Sequence, residues 1–150
     1  MMNEAGDDPS GQAVKLSLGS HARCFVCGTT NLCGLHLHFE RQRDGAVAAA
    51  FLCDACYQGY PGLLHGGVIA AMLDGAMTHC LFARGVEGVT ARLNVEYRRP
   101  IQVGVPATVR ARVSLESPPL YRMEAEVVQD GETRAQAEGT FLRADELAAG

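Results

Sequence analysis

His65-Gly-Gly-Val-Ile-Ala-Ala-Met-Leu-Asp74-Gly-Ala-Met-Thr-His-Cys-Leu-Phe-Ala83 is the stretch on which the fold turns. Val68, Ile69, Ala70, Ala71, Met72, Leu73, Ala76, Met77, Cys80, Leu81 and Phe82 cover every face of the helix that this stretch predicts. A helix apolar all round belongs inside something. The turn-forming Gln58-Gly59-Tyr60-Pro61-Gly62 precedes it and Arg84-Gly85 ends it. Asp74, Thr78 and His79 interrupt the apolar run, which lacks flanking anchors, so a buried helix is expected rather than a membrane span.

Outward from the helix, the chain reads as strands. Val89 to Tyr97 sets Ala91, Leu93, Val95 and Tyr97 against Thr90, Arg92, Asn94 and Glu96, the alternation of a half-buried strand. After the Gly104-Val105-Pro106 turn come Ala107 to Leu115, the Pro118-Pro119 break, Tyr121 to Gln129, the Asp130-Gly131 turn, and Thr133 to Leu142. Upstream, Leu35 to Glu40 and Val47 to Leu52 flank a polar turn at Arg41 to Gly45. Two strands, one helix and four strands, with no second long helix to cover the sheet, predict an α+β domain. Its antiparallel sheet of about six strands wraps a long central helix. The expected organisation is a disordered segment over 1–20, one domain over 21–144 and a short tail over 145–150.

With 150 residues and 47% hydrophobic content, the chain has enough material for one core. Its net charge of −4, with no basic cluster beyond Arg98-Arg99, argues against a nucleic-acid partner. Met1 to Gln12 is acidic and polar with no apolar core, so no signal peptide is read there and a reducing, cytoplasmic setting is expected.

Six cysteines in that setting point to metal before disulfides. Cys24-Phe-Val-Cys27 and Cys53-Asp-Ala-Cys56 bracket the upstream hairpin, and antiparallel pairing would lay the two pairs side by side as a tetrahedral four-thiolate zinc site. Such a filled site supports the fold rather than the chemistry. The residues also allow free thiols, redox chemistry or a disulfide. Cys33, His36 and His38 are substitute ligands, and Cys80 reads as buried packing.

The start of the helix carries a different chemistry. Gly66 and Gly67 have backbone N–H groups at the positive end of the dipole and no side chain to block an approaching carbonyl oxygen, the requirement for an oxyanion donor. Close packing against the sheet would also explain them. Asp74 is the helix's lone acid; burial among Ala, Met and Leu would raise its pKa, and a bond from Thr78 would satisfy it without catalysis. Eight residues separate Gly66 from Asp74, about 12 Å along one helix, too far to grip one carbonyl group. Both groups can act on one carbonyl only if each comes from a different protomer.

His65-Gly66-Gly67-Val68-Ile69-Ala70-Ala71-Met72-Leu73-Asp74, with Leu93-Asn94-Val95-Glu96-Tyr97-Arg98-Arg99-Pro100 and Cys24-Phe-Val-Cys27-Gly28, Asn31 and Gly34-Leu35, resembles the hotdog-fold acyl-CoA thioesterases of the PaaI-like branch. The resemblance spans about residues 24 to 143. It implies a homodimer, often a dimer of dimers, with an acyl-CoA bound at the interface and hydrolysed to free acid and CoA. By position it makes Gly66 the oxyanion donor, Asp74 the catalytic carboxylate, Thr90 the residue orienting water or acid, and His65 the histidine of the HGG motif. Gly67 would lie against the substrate. Gly59 stands where several members carry an Asn or Gln that polarises the thioester, and Gln58 is the neighbouring substitute. Arg98, Arg99 and Arg84 are candidates for the phosphates of CoA. Two alternatives share the fold: a thioester-binding module without turnover, which Gly59 would suit, and a hydratase or dehydratase, which would want a His and an acid paired at the reacting carbon.

Overall fold

The helix forms where the apolar run stands. In the computed structural model, which describes residues 21–147, α1 spans Gly66–Phe82. The segment expected to be disordered and the last three residues of the expected tail lie outside the described residues. His65 is the N-cap, its Nδ1 accepting the Gly67 N–H at 2.9 Å. Six strands follow the expected order: β1 Glu40–Arg41, β2 Val47–Phe51, β3 Gly88–Tyr97, β4 Ala107–Ser117, β5 Leu120–Gln129 and β6 Glu132–Arg143. A single turn of helix, α2, closes the described chain at Ala144–Leu147.

All neighbours in the sheet are antiparallel, in the order β1-β2-β4-β5-β6-β3. Tyr121, Met123, Ala125, Val127 and Gln129 of β5 point inward at every second residue. They meet Met72, Leu73, Ala76, Met77, Cys80 and Leu81 of α1, all wholly buried, with Val109, Ala111, Ala135 and Phe141. The outer face carries Glu96, Arg110, Arg112, Glu124, Glu126 and Glu138. One face is therefore apolar and one wet, the usual economy of an antiparallel sheet.

The upstream hairpin is shorter than its alternation predicts. Leu35 to Phe39 forms no strand with β2, because its backbone is engaged elsewhere: the N–H groups of Leu35 and Leu37 donate to Phe25 O and Val26 O at 2.8 and 2.9 Å. The segment folds back onto the Cys24–Cys27 loop. Val26 then packs into the space left by Gly75 on α1, where an added Cβ would stand 2.5 Å from Val26 Cγ1.

Gln129 is the buried polar group that holds a loop to the sheet. Only 1% exposed, it accepts the Gln102 N–H at 2.9 Å and donates from Nε2 to Gln102 O and Val105 O, each at 3.0 Å. Gln129→Leu strips these backbone groups of their partner and is expected to cost about 2–4 kcal/mol in urea unfolding. A loss below about 0.5 kcal/mol would mean that water replaces the amide freely.

His79 is 3% exposed, stacked on Phe39 at 4.4 Å and edge-on to Phe82 at 5.4 Å. Neither ring nitrogen has a hydrogen-bond partner among the described residues. Burial, followed by the charge of His21, pushes its pKa from 6.5 down to about 4. The unfolded chain therefore binds a proton that the folded chain refuses. Stability is complete above the unfolded value of 6.5 and is lost as pH falls from there toward about 4, by roughly 3 kcal/mol. Urea midpoints measured down this range should fall for the parent and flatten in His79→Phe; parallel curves would show that other groups carry the acid sensitivity.

Candidate active site

Two clusters lie along α1. At its N-terminal end, Gly59, His65, Gly66, Tyr97, Arg98 and Arg99 line one groove of about 750 Å³ with Leu63, Leu64, Ile69 and Ile101. Further along the helix, Thr90 of β3 donates from Oγ1 to Asp74 Oδ1 at 2.5 Å.

The groove distinguishes the two glycines. Gly67 spends its N–H on His65, whereas the N–H of Gly66 has no partner among the described residues. Close packing does not explain Gly66: a Cβ there would meet only the Tyr97 ring, at 3.6 Å, an ordinary contact. What the glycine leaves, beside the Tyr97 ring, is a free donor at the positive end of a 17-residue helix whose first turn has no acid. Tyr97 donates its hydroxyl to Gly66 O at 2.7 Å and so holds the Gly66–Gly67 peptide, the one that follows the free donor. The sequence marks Tyr97 as a strand residue and as part of the Leu93–Pro100 motif, and neither pattern signals its bond to Gly66.

His65 is occupied as the helix cap, with Nδ1 as acceptor. Gln58 is likewise engaged, its Oε1 accepting the Gly62 N–H at 3.0 Å across the turn. Gly59 abuts His65, where a Cβ would lie at 3.4 Å. Arg98 and Arg99 are exposed, with loose ion pairs to Glu96 at 3.4 Å and Glu132 at 3.8 Å, and their guanidinium groups can turn to another anion. Arg84 lies past the opposite end of α1, paired with Glu116 at 3.6 Å, and is no part of the groove.

Asp74 is half-buried rather than buried, because it faces the edge strand across an open side of the helix. Thr78 donates to the backbone O of Asp74 at 3.0 Å and not to its carboxylate. Thr90 reaches Asp74 through a β-bulge. Thr90 pairs with Phe141 and Arg92 with Thr140, which leaves Ala91 extra and brings Thr90 onto the helix side. Strict alternation had grouped Thr90 with Arg92, Asn94 and Glu96 on the other face.

The sequence matches the Thioesterase superfamily over residues 61–136, a stretch that contains α1, the Asp74–Thr90 pair and all of the groove lining but Gly59 and Tyr60. The chain belongs to this superfamily. Acyl-coenzyme A thioesterase THEM4 of Bos taurus is 28% identical over 129 residues, covering 84% of this chain and 53% of the bovine protein. The superfamily chain thus spans about half the length of that relative. A solved structure of a thioesterase superfamily protein superposes with a TM-score of 0.74 at 29% identity, over 78% of this chain and 61% of the other. A hypothetical thioesterase of Streptococcus pneumoniae, solved with coenzyme A, superposes at 0.67 with 19% identity, over 72% and 88%. The helix wrapped by an antiparallel sheet is the hotdog fold of these proteins.

The four-thiolate site does not assemble in this superfamily chain. Donor atoms of His21, Cys24 and Cys27 lie within 4.8 Å of one another, and Cys53 and Cys56 are outside that group. The Cys24–Cys27 loop packs on α1 through Val26, while the loop after β2 meets the N-terminal segment further on, where the Tyr57 hydroxyl donates to Cys33 O and Gly34 O at 3.3 and 2.8 Å. Burial pushes the Cys27 thiol up to about 12, with a hydrogen bond from that thiol to Cys24 adding to it, and burial raises Cys53 to about 11. Neither is a nucleophilic thiol at neutral pH. The His/Cys group can hold a metal; among the described residues, no helix is long and apolar enough to cross a membrane.

Proposed function

We propose that this chain hydrolyses an acyl-CoA thioester to free acid and CoA, at a site completed by a second copy of itself. The observation that carries the reading is the pair of complementary half-sites on one helix. A free N–H at Gly66 suits an oxyanion, and a threonine-held carboxylate at Asp74 suits a base. Between them lies about 12 Å of helix. The half-buried or exposed stripe Gly67, Ala70, Ala71 and Asp74, beside the edge strand with Val89 43% and Tyr97 52% exposed, is the surface a second copy would cover.

In the proposed reaction, Asp74 takes a proton from water with the oxygen that Thr90 leaves free, and the water oxygen attacks the thioester carbon. The carbonyl oxygen becomes an oxyanion facing the Gly66 N–H of the other protomer. Collapse breaks the C–S bond, and the proton held by Asp74 passes to the departing sulfur. Attack by the Asp74 carboxylate itself, followed by hydrolysis of the anhydride, uses the same two groups. Arg98 and Arg99 at the groove rim would meet the phosphates of CoA. The Streptococcus pneumoniae protein lends support: it has been solved with alanine at an aspartate and at a threonine sixteen positions further on, the separation of Asp74 and Thr90 here.

Thiol release from a panel of acyl-CoAs by the purified chain tests the reading. Turnover with any acyl chain supports it. A folded dimer that binds acyl-CoA without releasing thiol would favour the binding module, a reading that Gly59 specifically suits.

A further inference from the structure

We infer that His21, Cys24 and Cys27 form a binding site for a soft divalent cation, zinc foremost, which fixes the N-terminal loop in the shape that lies against the C-terminal half of α1. The site is independent of the thioesterase reading. Two successive turns build it: Cys24 N–H donates to His21 O at 2.9 Å, and Gly28 N–H donates to Cys24 O at 2.9 Å. They bring three ligand side chains to one side of a loop of eight residues. Cys27 Sγ stands 4.0 Å from His21 Nδ1. Neighbouring ligands of a tetrahedral zinc lie about 3.5–3.8 Å apart, given Zn–S near 2.3 Å and Zn–N near 2.0 Å, so the His21–Cys27 pair needs to close by only a few tenths of an ångström, and the remaining pairs, all within 4.8 Å, by at most about 1 Å.

The backbone of the loop is shaped for this use. Val26 N–H donates to Cys24 Sγ at 3.4 Å, a bond that favours the thiolate a metal requires. The residue after the second cysteine must be glycine: a Cβ on Gly28 would stand 2.5–2.6 Å from Cys24 N, Cys24 O and Ala22 O. A loop needed only to cover the core has no reason to fold two cysteines and a histidine around one point. The His21 ring in turn lies edge-on to Phe82 at 4.7 Å, and Phe82 also touches His79, the buried histidine whose ring nitrogens have no hydrogen-bond partner among the described residues. Three protein donors leave a fourth position for water. Two thiolates and an imidazole select zinc or cobalt over magnesium or calcium.

The test is metal stoichiometry on the full chain, purified reduced and without chelator, then stripped and refilled with Zn²⁺ or Co²⁺ alone. The expected result is about one metal per chain, and with Co²⁺ a near-ultraviolet sulfur-to-cobalt band together with tetrahedral visible bands. Both signals should vanish in Cys24→Ala and in His21→Ala, and persist in Cys53→Ala and Cys56→Ala. His21 is half-buried at the edge of the loop, so its variant keeps the test open if the cysteine variants misfold. The inference is overturned if the reduced parent takes up no stoichiometric metal, if the metal is lost in Cys53→Ala but kept in His21→Ala, or if Cys24 and Cys27 are found joined as a disulfide in the protein as isolated from cells.

Discussion

Asp74→Asn is expected to lower thioester turnover by about 10²–10⁴-fold while leaving acyl-CoA binding within a few-fold of the parent. The amide keeps the shape of the carboxylate and can still accept from Thr90 Oγ1, now 2.5 Å from Asp74 Oδ1, but it cannot take a proton from water or attack a carbonyl. Because Asp74 is half-buried at an open face rather than sunk in the core, the substitution should leave the unfolding midpoint nearly unchanged. Single-turnover thiol release at saturating acyl-CoA, beside a binding isotherm, separates the two quantities. Turnover at the parental rate would remove Asp74 from the chemistry.

Gly66→Pro should reduce turnover by about 10²–10³-fold, the usual cost of losing one oxyanion donor. Proline is well placed to isolate that donor. It is favoured at the first position of a helix, His65 before it has the extended backbone that proline prefers (ψ 134°), and a Cβ at this position meets Tyr97 only at 3.6 Å. The larger effect comes from mixing. If one protomer supplies Gly66 and the other Asp74, co-refolded Gly66→Pro and Asp74→Asn chains form hybrid dimers with one intact site. Random pairing then restores about a quarter of parental turnover from two nearly inactive preparations. A mixture that exchanges subunits and stays inactive would place both groups of each site on one chain, against the separation along α1.

Much of this protein is written in local patterns. The apolar run ending at Phe82 is helical because no face of it is polar enough for water, and β5 alternates Tyr121, Met123, Ala125 and Val127 inward as its sequence says. Asp74 stands out for the same reason, as an acid in an otherwise apolar helix. Where the alternation failed, a competing long-range bond was responsible. Leu35 to Phe39 has the pattern of a strand, but Phe25 O and Val26 O capture its N–H groups, a pairing no periodicity records.

The sequence by itself determined the helix, the order of the six strands, and the residue types able to carry thioester chemistry, since periodicity and composition act within a few residues of one another. The tertiary structure alone decided the rest. A one-residue bulge at Ala91 moved Thr90 from the outer face to Asp74, the His65 cap consumed Gly67 and left Gly66 as the free donor, and the folded-back loop gave Cys24 and Cys27 a histidine in place of Cys53 and Cys56. Each outcome depends on which distant backbone group wins a given hydrogen bond, and that contest is settled only when the whole chain is packed.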